Sequence, residues 1–350
     1  MRDLASILTN LRSRYNPDND LLVEGRMYSE LSGEEKVTAK YIKAAMSEVD
    51  QRYTQITLDA GEAVKRQLNA KQTGISYEYQ GSVMTRTHIR GVSDIDLLTL
   101  TNKFEDTELT KVIDILENYN LKSQYSFTSQ QRLQQFREDF SRYIGDSDAE
   151  LMALRLNNES ILRTVYSQCD ISNAKSIKIH HQHYNRDIDV VTANWLVTVG
   201  SIINYNDKTF KGVKIFDKEK RTTLPADYPF ISIKRINDRS THTGGRLKKM
   251  IRFLKNVVAD SDKTIDLHSF EINAICYACP PQEYMEMYYL DLAYYIWHWM
   301  YNLHQDKARL DALKSVDGSE YVFFNKPERV AALKLLEDEV WNLYNSLNRA

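Results

Sequence analysis

Residues 81–97, GSVMTRTHIRGVSDIDL, constrain this chain more tightly than any other stretch. A Gly-Ser pair stands a short loop ahead of two aspartates that are separated by one residue. In a β-strand, side chains two residues apart point to the same face, so Asp94 and Asp96 project side by side. Two carboxylates that close repel unless a positive charge lies between them, and such pairs share a proton or hold a metal ion. A Gly-Ser turn offers backbone N–H groups to a phosphate. A phosphate turn feeding a paired-carboxylate strand is the equipment of metal-dependent nucleotidyl transfer.

The flanking sequence predicts the surrounding elements. Between Glu34 and Ala70 apolar residues recur at spacings of three and four, which predicts one long helix with Gly61 as the place where it bends. ISYEYQ (75–80) predicts a strand running straight into Gly81-Ser82, and DIDLLTL (94–100) predicts the next. A helical, Gln- and charge-rich middle follows over 104–165. SIKIHHQHY (176–184) and DIDVVTANW (187–195) read as strands joined by a turn at Asn185-Arg186, and GVKIF (212–216) as a short strand. From Thr243 onward the pattern is almost wholly helical. The shift from mixed to helical composition near 230 predicts two domains, 1–230 and 231–350, in an α+β protein.

Asp187-Ile188-Asp189 supplies a second Asp-x-Asp in strand-like surroundings. Two-metal phosphoryl transfer uses three carboxylates, and the third can come from any neighbouring strand. Asp189 is the preferred third ligand because Val-Val-Thr-Ala follows it. Asp187 has the same side-chain parity, so geometry alone leaves it open.

GGRLKKMIRFLK (244–255) predicts a helix from about Arg246, with Leu247, Met250, Ile251 and Leu254 on the core face. Lys248, Arg252 and Lys255 fall on one flank. For Lys248 and Lys249 a solvated basic face is the simpler reading. Lys255, deepest in the helix, is expected to contact a triphosphate. Ser269 opens another helix, either as an N-cap or as a phosphate donor, and Phe270 beside it can stack on a base.

The bulk properties exclude several classes. The chain has 350 residues, 42% hydrophobic and 27% charged, with 46 basic against 48 acidic side chains, so it does not coat nucleic acid through bulk charge. Three cysteines argue for a reducing compartment rather than a disulfide framework. The charged N-terminal stretch lacks the apolar core of a signal peptide, and no run approaches the ~18 apolar residues of a membrane span. The expectation is a cytoplasmic protein. Cys276-x-x-Cys279 has no second pair to complete a zinc site. His180 and His181 would point to opposite faces of a strand. The tyrosine-rich stretch 284–301 reads as helix packing.

In their order, Gly81-Ser82, Thr87-x-Ile89, Asp94-Ile95-Asp96-Leu97, Asp189-Val190-Val191, GGRLKKMIRFLK, His268-Ser269-Phe270 and Asp317-Gly318 resemble a family. It is that of the bacterial CD-NTases, cyclic-oligonucleotide synthases of anti-phage signalling related to cyclic GMP–AMP synthase and oligoadenylate synthetase. The resemblance spans about 35–330. It implies a DNA polymerase β-like nucleotidyltransferase core, a mixed sheet flanked by helices, with a C-terminal helical lobe and NTPs in the cleft between them. It implies Mg²⁺, or Mn²⁺, on Asp94, Asp96 and Asp189, and nucleotide binding by Gly81, Ser82, Lys255, Ser269 and Phe270, with Ser82 on the donor triphosphate, Lys255 and Ser269 on phosphates and Phe270 near a base. The implied product is a cyclic di- or trinucleotide sensed by a downstream effector, with no membrane or long nucleic acid as partner. Arg86 stands where many relatives have glycine, and Thr192 where proline is common. Two rival functions share the carboxylates: a nucleotidyltransferase acting on tRNA, a protein or an antibiotic, and a non-catalytic nucleotide-binding regulator.

Overall fold

The strand with the most continuous burial organises the sheet. In a computed structural model, which describes residues 10–11, 37–91 and 94–346, RDIDVVTANWLV forms β5 (Arg186–Val197) and is buried at every position from Val190 onward. A strand buried on both faces must have neighbours on both edges. β5 lies parallel to β2 (Ile95–Thr107) on one edge and antiparallel to β4 (Ser176–His181) on the other. β1 (Ile75–Gln80) closes the β2 side, and the two-residue β3 (Cys169–Asp170) closes the β4 side, giving the order β1-β2-β5-β4-β3. Beyond the end of β4, β6 (Gly212–Asp217) pairs with β5 at Ala193–Leu196, and β7 (Thr222–Thr223) pairs with β6.

The residues group into two compact units. One comprises 55–81 and 94–234 and contains the sheet; the other comprises 1–54, 82–93 and 235–350. The second unit is helical and is discontinuous in sequence.

Two corrections concern the helix expected over 34–70. Its described part is two helices, α1 (Val37–Met46) and α2 (Gln51–Asn69), broken over 47–50. Asp50 starts the second helix, since its carboxylate accepts from the Arg52 N–H at 2.8 Å and its carbonyl from the Thr54 N–H. The interruption falls over 47–50 and not at Gly61, through which α2 is continuous. A Cβ there would lie 2.9 Å from the Tyr79 ring and 3.2 Å from Ile95, so the glycine lets α2 lie close on β1 and β2.

Further along, β2 runs to Thr107 rather than Leu100, because its second half alternates polar, exposed residues with buried Phe104 and lacks an apolar signature. Then come α3 (Leu109–Glu117), α4 (Tyr119–Lys122), α5 (Phe127–Asp139) and α6 (Ser147–Val165). The β4–β5 turn occupies 182–185, not Asn185-Arg186, and Asn185 takes the positive φ (51°) that closes it. α7 (Val199–Ile203) follows β5 and leads to β6.

α8 (Pro229–His242) begins in the sheet-bearing unit and ends in the helical one, where α9 (Arg246–Asp260), α10 (Ser269–Tyr277), α11 (Pro281–Tyr284), α12 (Tyr289–Gln305), α13 (Lys307–Asp311) and α14 (Pro327–Ser346) follow in order. The apolar stripe of α9 is buried as expected, with Leu247, Met250, Ile251 and Leu254 fully enclosed. Each such side chain contributes about 1.5–3 kcal/mol. Ile296, Trp299 and Met300 of the tyrosine-rich stretch join the same core, while Tyr294 lies on an outer face near Trp297 and Tyr344. Cys276 and Cys279 are free buried thiols. Among the described residues no helix is long and apolar enough to cross a membrane.

Candidate active site

Strand register decides which carboxylates meet. In the parallel β2–β5 pair, Asp96 lies abreast of Asp189, so the two carboxylates share a face on adjacent strands. Their neighbours Ile95, Leu97, Ile188 and Val190 are fully buried on the other face. Asp94 directly precedes β2. Asp187 sits two residues earlier on β5, where its Oδ1 lies 2.7 Å from His180 Nδ1 and its Oδ2 3.4 Å from Lys178 Nζ. The ambiguity between Asp187 and Asp189 left by sequence parity thus becomes a difference of register and partners.

The opposite face of these strands carries a buried polar clasp. Thr99 and Thr192 are a cross-strand pair three residues beyond Asp96 and Asp189, and Asn158 of α6 donates to both hydroxyls, at 2.9 and 3.3 Å. The clasp fixes the register that holds the aspartates abreast. It also gives Thr192 a role that proline, without a hydroxyl, could not fill.

The site is electrostatically under-compensated. Burial, and then the charge of Asp94, push the Asp189 carboxyl above the usual range. Lys178 of β4, opposite Asp189 in register, extends to Asp94 and donates to its Oδ2 at 2.7 Å. That hydrogen bond holds the Lys178 ammonium above the ordinary lysine range. As they stand, no three His, Cys, Asp or Glu side chains among the described residues are gathered in a metal-binding arrangement. The donor set nevertheless fits a hard divalent cation: carboxylate oxygens on one face of two adjacent strands, one of them resisting ionisation because it is buried and lies near the Asp94 charge. Asp94, Asp96 and Asp189 would hold it.

Gly81 is required by the same geometry. It follows Gln80, the register partner of Asp96, and its φ is +86°. A Cβ at this position would stand 2.3 Å from Asp96 Oδ2. Gly81→Ala should therefore both strain the turn, by about 1–2 kcal/mol, and displace the Asp96 carboxylate. The expected result is a lower urea midpoint together with weaker divalent-metal binding. A variant that matches wild type in both would remove this role.

The remaining predicted residues lie in the helical unit. Ser82 opens a tight turn in which its carbonyl accepts from the Thr87 N–H at 2.9 Å and from the Thr85 hydroxyl. Arg86 in this turn has φ +52°, a conformation that favours glycine; its side chain approaches Glu48 at 3.6 Å. Lys255 is buried, and its ammonium donates to the Thr87 carbonyl at 3.1 Å, so it braces the turn. Arg252 is buried too, donating to the Met46 and Arg86 carbonyls, while Asn256 donates to Ala45. The basic flank of α9 thus caps the end of α1, whose last carbonyls have no intrahelical partner. Ser269 is the first residue of α10 and is exposed; the cap is His268, whose N–H donates to Glu271 Oε2 at 2.8 Å. Phe270 is 38% exposed on the same turn.

Sequence reasoning missed Lys178, Asn158 and the inward turn of Arg252. Lys178 was findable, because counting back from the 182–185 turn pairs it with Asp189. Asn158 left no signal, being one amide in a polar helix.

The model for the cGAS/DncV-like nucleotidyltransferase C-terminal helical domain matches residues 234–345. A c-di-GMP synthase from a Lachnospiraceae bacterium is 47% identical over 348 residues, covering 99% of both chains. Two solved structures align with nearly the whole chain. The STING-associated CdnE c-di-GMP synthase from Flavobacteriaceae sp. has a TM-score of 0.86 at 32% identity, covering 100% of both chains. Its counterpart from Capnocytophaga granulosa has a TM-score of 0.79 at 34% identity, covering 99% of both. With the acidic strand pair, the glycine turn and the helical unit in place, the chain belongs to the bacterial CD-NTase family of cyclic-oligonucleotide synthases.

Proposed function

We propose that this enzyme condenses two GTP molecules into cyclic di-GMP, releasing two pyrophosphates, with Asp94, Asp96 and Asp189 as the metal-binding carboxylates. The observation that carries the base assignment is that three curated relatives, at 47%, 38% and 34% identity and each aligned over 99% of this chain, are c-di-GMP synthases. When bound, Mg²⁺ or Mn²⁺ would lower the pKa of the attacking ribose hydroxyl and offset charge on the leaving pyrophosphate. The protein's part is placement. Asp96 and Asp189 fix the donor oxygens through β2–β5 register, with Asp94 beside them. Ser82, whose hydroxyl makes no hydrogen bond among the described residues, is left to donate to a phosphate, with Gly81 keeping the turn open. Lys255 contributes by bracing that turn and by its positive charge. Ser269 and Phe270, both exposed on the first turn of α10, are assigned to a phosphate and a base. The linear dinucleotide must reverse in the site before the second attack closes the ring. A separate effector then receives only the diffusible product, and the cytoplasm, where NTPs abound, is the proposed compartment.

Purified protein with Mg²⁺ and GTP alone should yield a phosphatase-resistant product with the mass of c-di-GMP, read by mass spectrometry. From an equimolar NTP mixture the same species should dominate. A mixed-base product overturns the base assignment. Label appearing on tRNA, a protein or a drug, without a small cyclic product, revives the rival transferase.

A further inference from the structure

We propose that Lys178 is the resident counter-cation of the acidic site, occupying it in the metal-free protein and withdrawing toward Asp187 when a divalent ion loads. This rests on the reading of Asp94, Asp96 and Asp189 as metal ligands. The geometry argues it. Lys178 and His180 alternate on β4 and face Asp189 and Asp187, respectively, across the antiparallel pair. From β4 the Lys178 side chain passes over β5 to the segment before β2 and places Nζ 2.7 Å from Asp94 Oδ2. The ammonium therefore already lies against Asp94, one of the carboxylates on which a divalent ion would load. A monovalent and a divalent cation cannot both sit there, since like charges a few ångströms apart repel strongly even near a protein surface.

The same geometry supplies the place of withdrawal. Asp187 Oδ2 already lies 3.4 Å from Nζ, and Asp187 Oδ1 is held by His180 at 2.7 Å. The lysine side chain is 47% exposed on a flexible stem, so a short swing keeps it paired while it vacates Asp94. Asp187, the member of the second Asp-x-Asp outside the proposed metal set, becomes the parking carboxylate. In this arrangement Lys178 sets metal affinity without being a ligand.

The test is Mn²⁺ binding to the full-length, metal-stripped protein, by calorimetry or electron paramagnetic resonance, alongside thermal melting. Lys178→Met should tighten the Mn²⁺ Kd by about 3- to 10-fold and lower the metal-free Tm, so the rise in Tm on saturating Mn²⁺ is larger than in wild type. Lys178→Arg keeps the charge and should stay near wild type, which guards against a folding defect in the Met variant. Asp187→Asn should weaken Mn²⁺ binding in the wild-type background and lose most of that effect when Lys178 is Met. An unchanged or weaker Kd in Lys178→Met, or an Asp187→Asn effect that persists fully without the lysine, overturns the inference. Asp189→Asn separates the two readings: if that variant binds Mn²⁺ like wild type, the metal assignment fails first.

Discussion

An Asp189→Asn enzyme should form cyclic product at less than about 1% of the wild-type rate, since losing even an outer partner of a metal ligand typically costs 10- to 100-fold. Yet, in the absence of divalent ions, it should melt at a higher temperature than wild type. The second half follows from the direction of the Asp189 shift. Its folded-state carboxyl is raised by burial and by the Asp94 charge, so at neutral pH the ionised form opposes folding. Replacing it with a neutral amide of the same shape removes that cost. The sign with pH agrees: a raised carboxyl binds its proton more tightly when folded, so its unfavourable contribution fades as pH falls through the raised value. Saturating Mg²⁺ should reverse the order of the two proteins, because ligand binding stabilises by RT ln(1 + [L]/Kd). Melting curves with chelator and with Mg²⁺, read beside product formation, check all three parts. A metal-free variant less stable than wild type would falsify the claim that this carboxylate is held against its own electrostatics.

Periodicity made most of the sheet legible. β5 announces itself because buried β-branched residues recur where a strand must be apolar, β1 and β6 are short runs carrying β-branched and aromatic residues, and Asp94, Asp96 and Asp189 stand out because carboxylates interrupt such patterns. The second half of β2 does not, since Asn102, Lys103, Glu105 and Asp106 carry the polarity of a loop while the backbone stays paired. The break between α1 and α2 was hidden for a related reason. Ser47, Glu48 and Asp50 are compatible with a polar helix face, and only the hydrogen bond from Arg52 to Asp50 shows that the aspartate begins a new helix. The basic flank of α9 misleads in the other direction. Spacing puts Lys248, Arg252 and Lys255 together, but whether a cation meets solvent, a phosphate or a carbonyl depends on which distant segment folds over it. For Arg252 the answer is the end of α1 and the backbone of Arg86, neither of which local sequence can disclose. Arg86 itself is better understood from backbone than from side chain. Its left-handed φ explains why glycine suits the position and what arginine gives up there.

Below about pH 6.5 the helical unit should lose stability through one residue, His88. This side chain is 1% exposed in the turn-bearing segment 82–91, with Nε2 3.0 Å from the Thr54 hydroxyl. Burial, followed by the nearby charges of Lys255 and Arg252, pushes its pKa down from 6.5 to about 4, outweighing the Ser82 backbone, which favours the proton. A depressed histidine stays neutral when folded. Its contribution is therefore complete above the unfolded value and is lost as pH falls from 6.5 toward 4. The full difference corresponds to about 3 kcal/mol, of which about 2 kcal/mol is gone by pH 5. Against a total of roughly 5–15 kcal/mol for a typical domain, that is enough to dominate the acid limb. Asp189 acts with the opposite sign over its own raised range, so the experiment is best done in the Asp189→Asn background. Urea midpoints at pH 7, 6 and 5 should fall steeply in that protein and much less when His88→Gln is added, since glutamine can still pair with Thr54 but cannot titrate. Parallel pH dependences in the two proteins would count against the prediction. A steep fall confined to the histidine-bearing protein would place the proton in the segment that Lys255 braces. Acid would then loosen the Ser82 turn through His88.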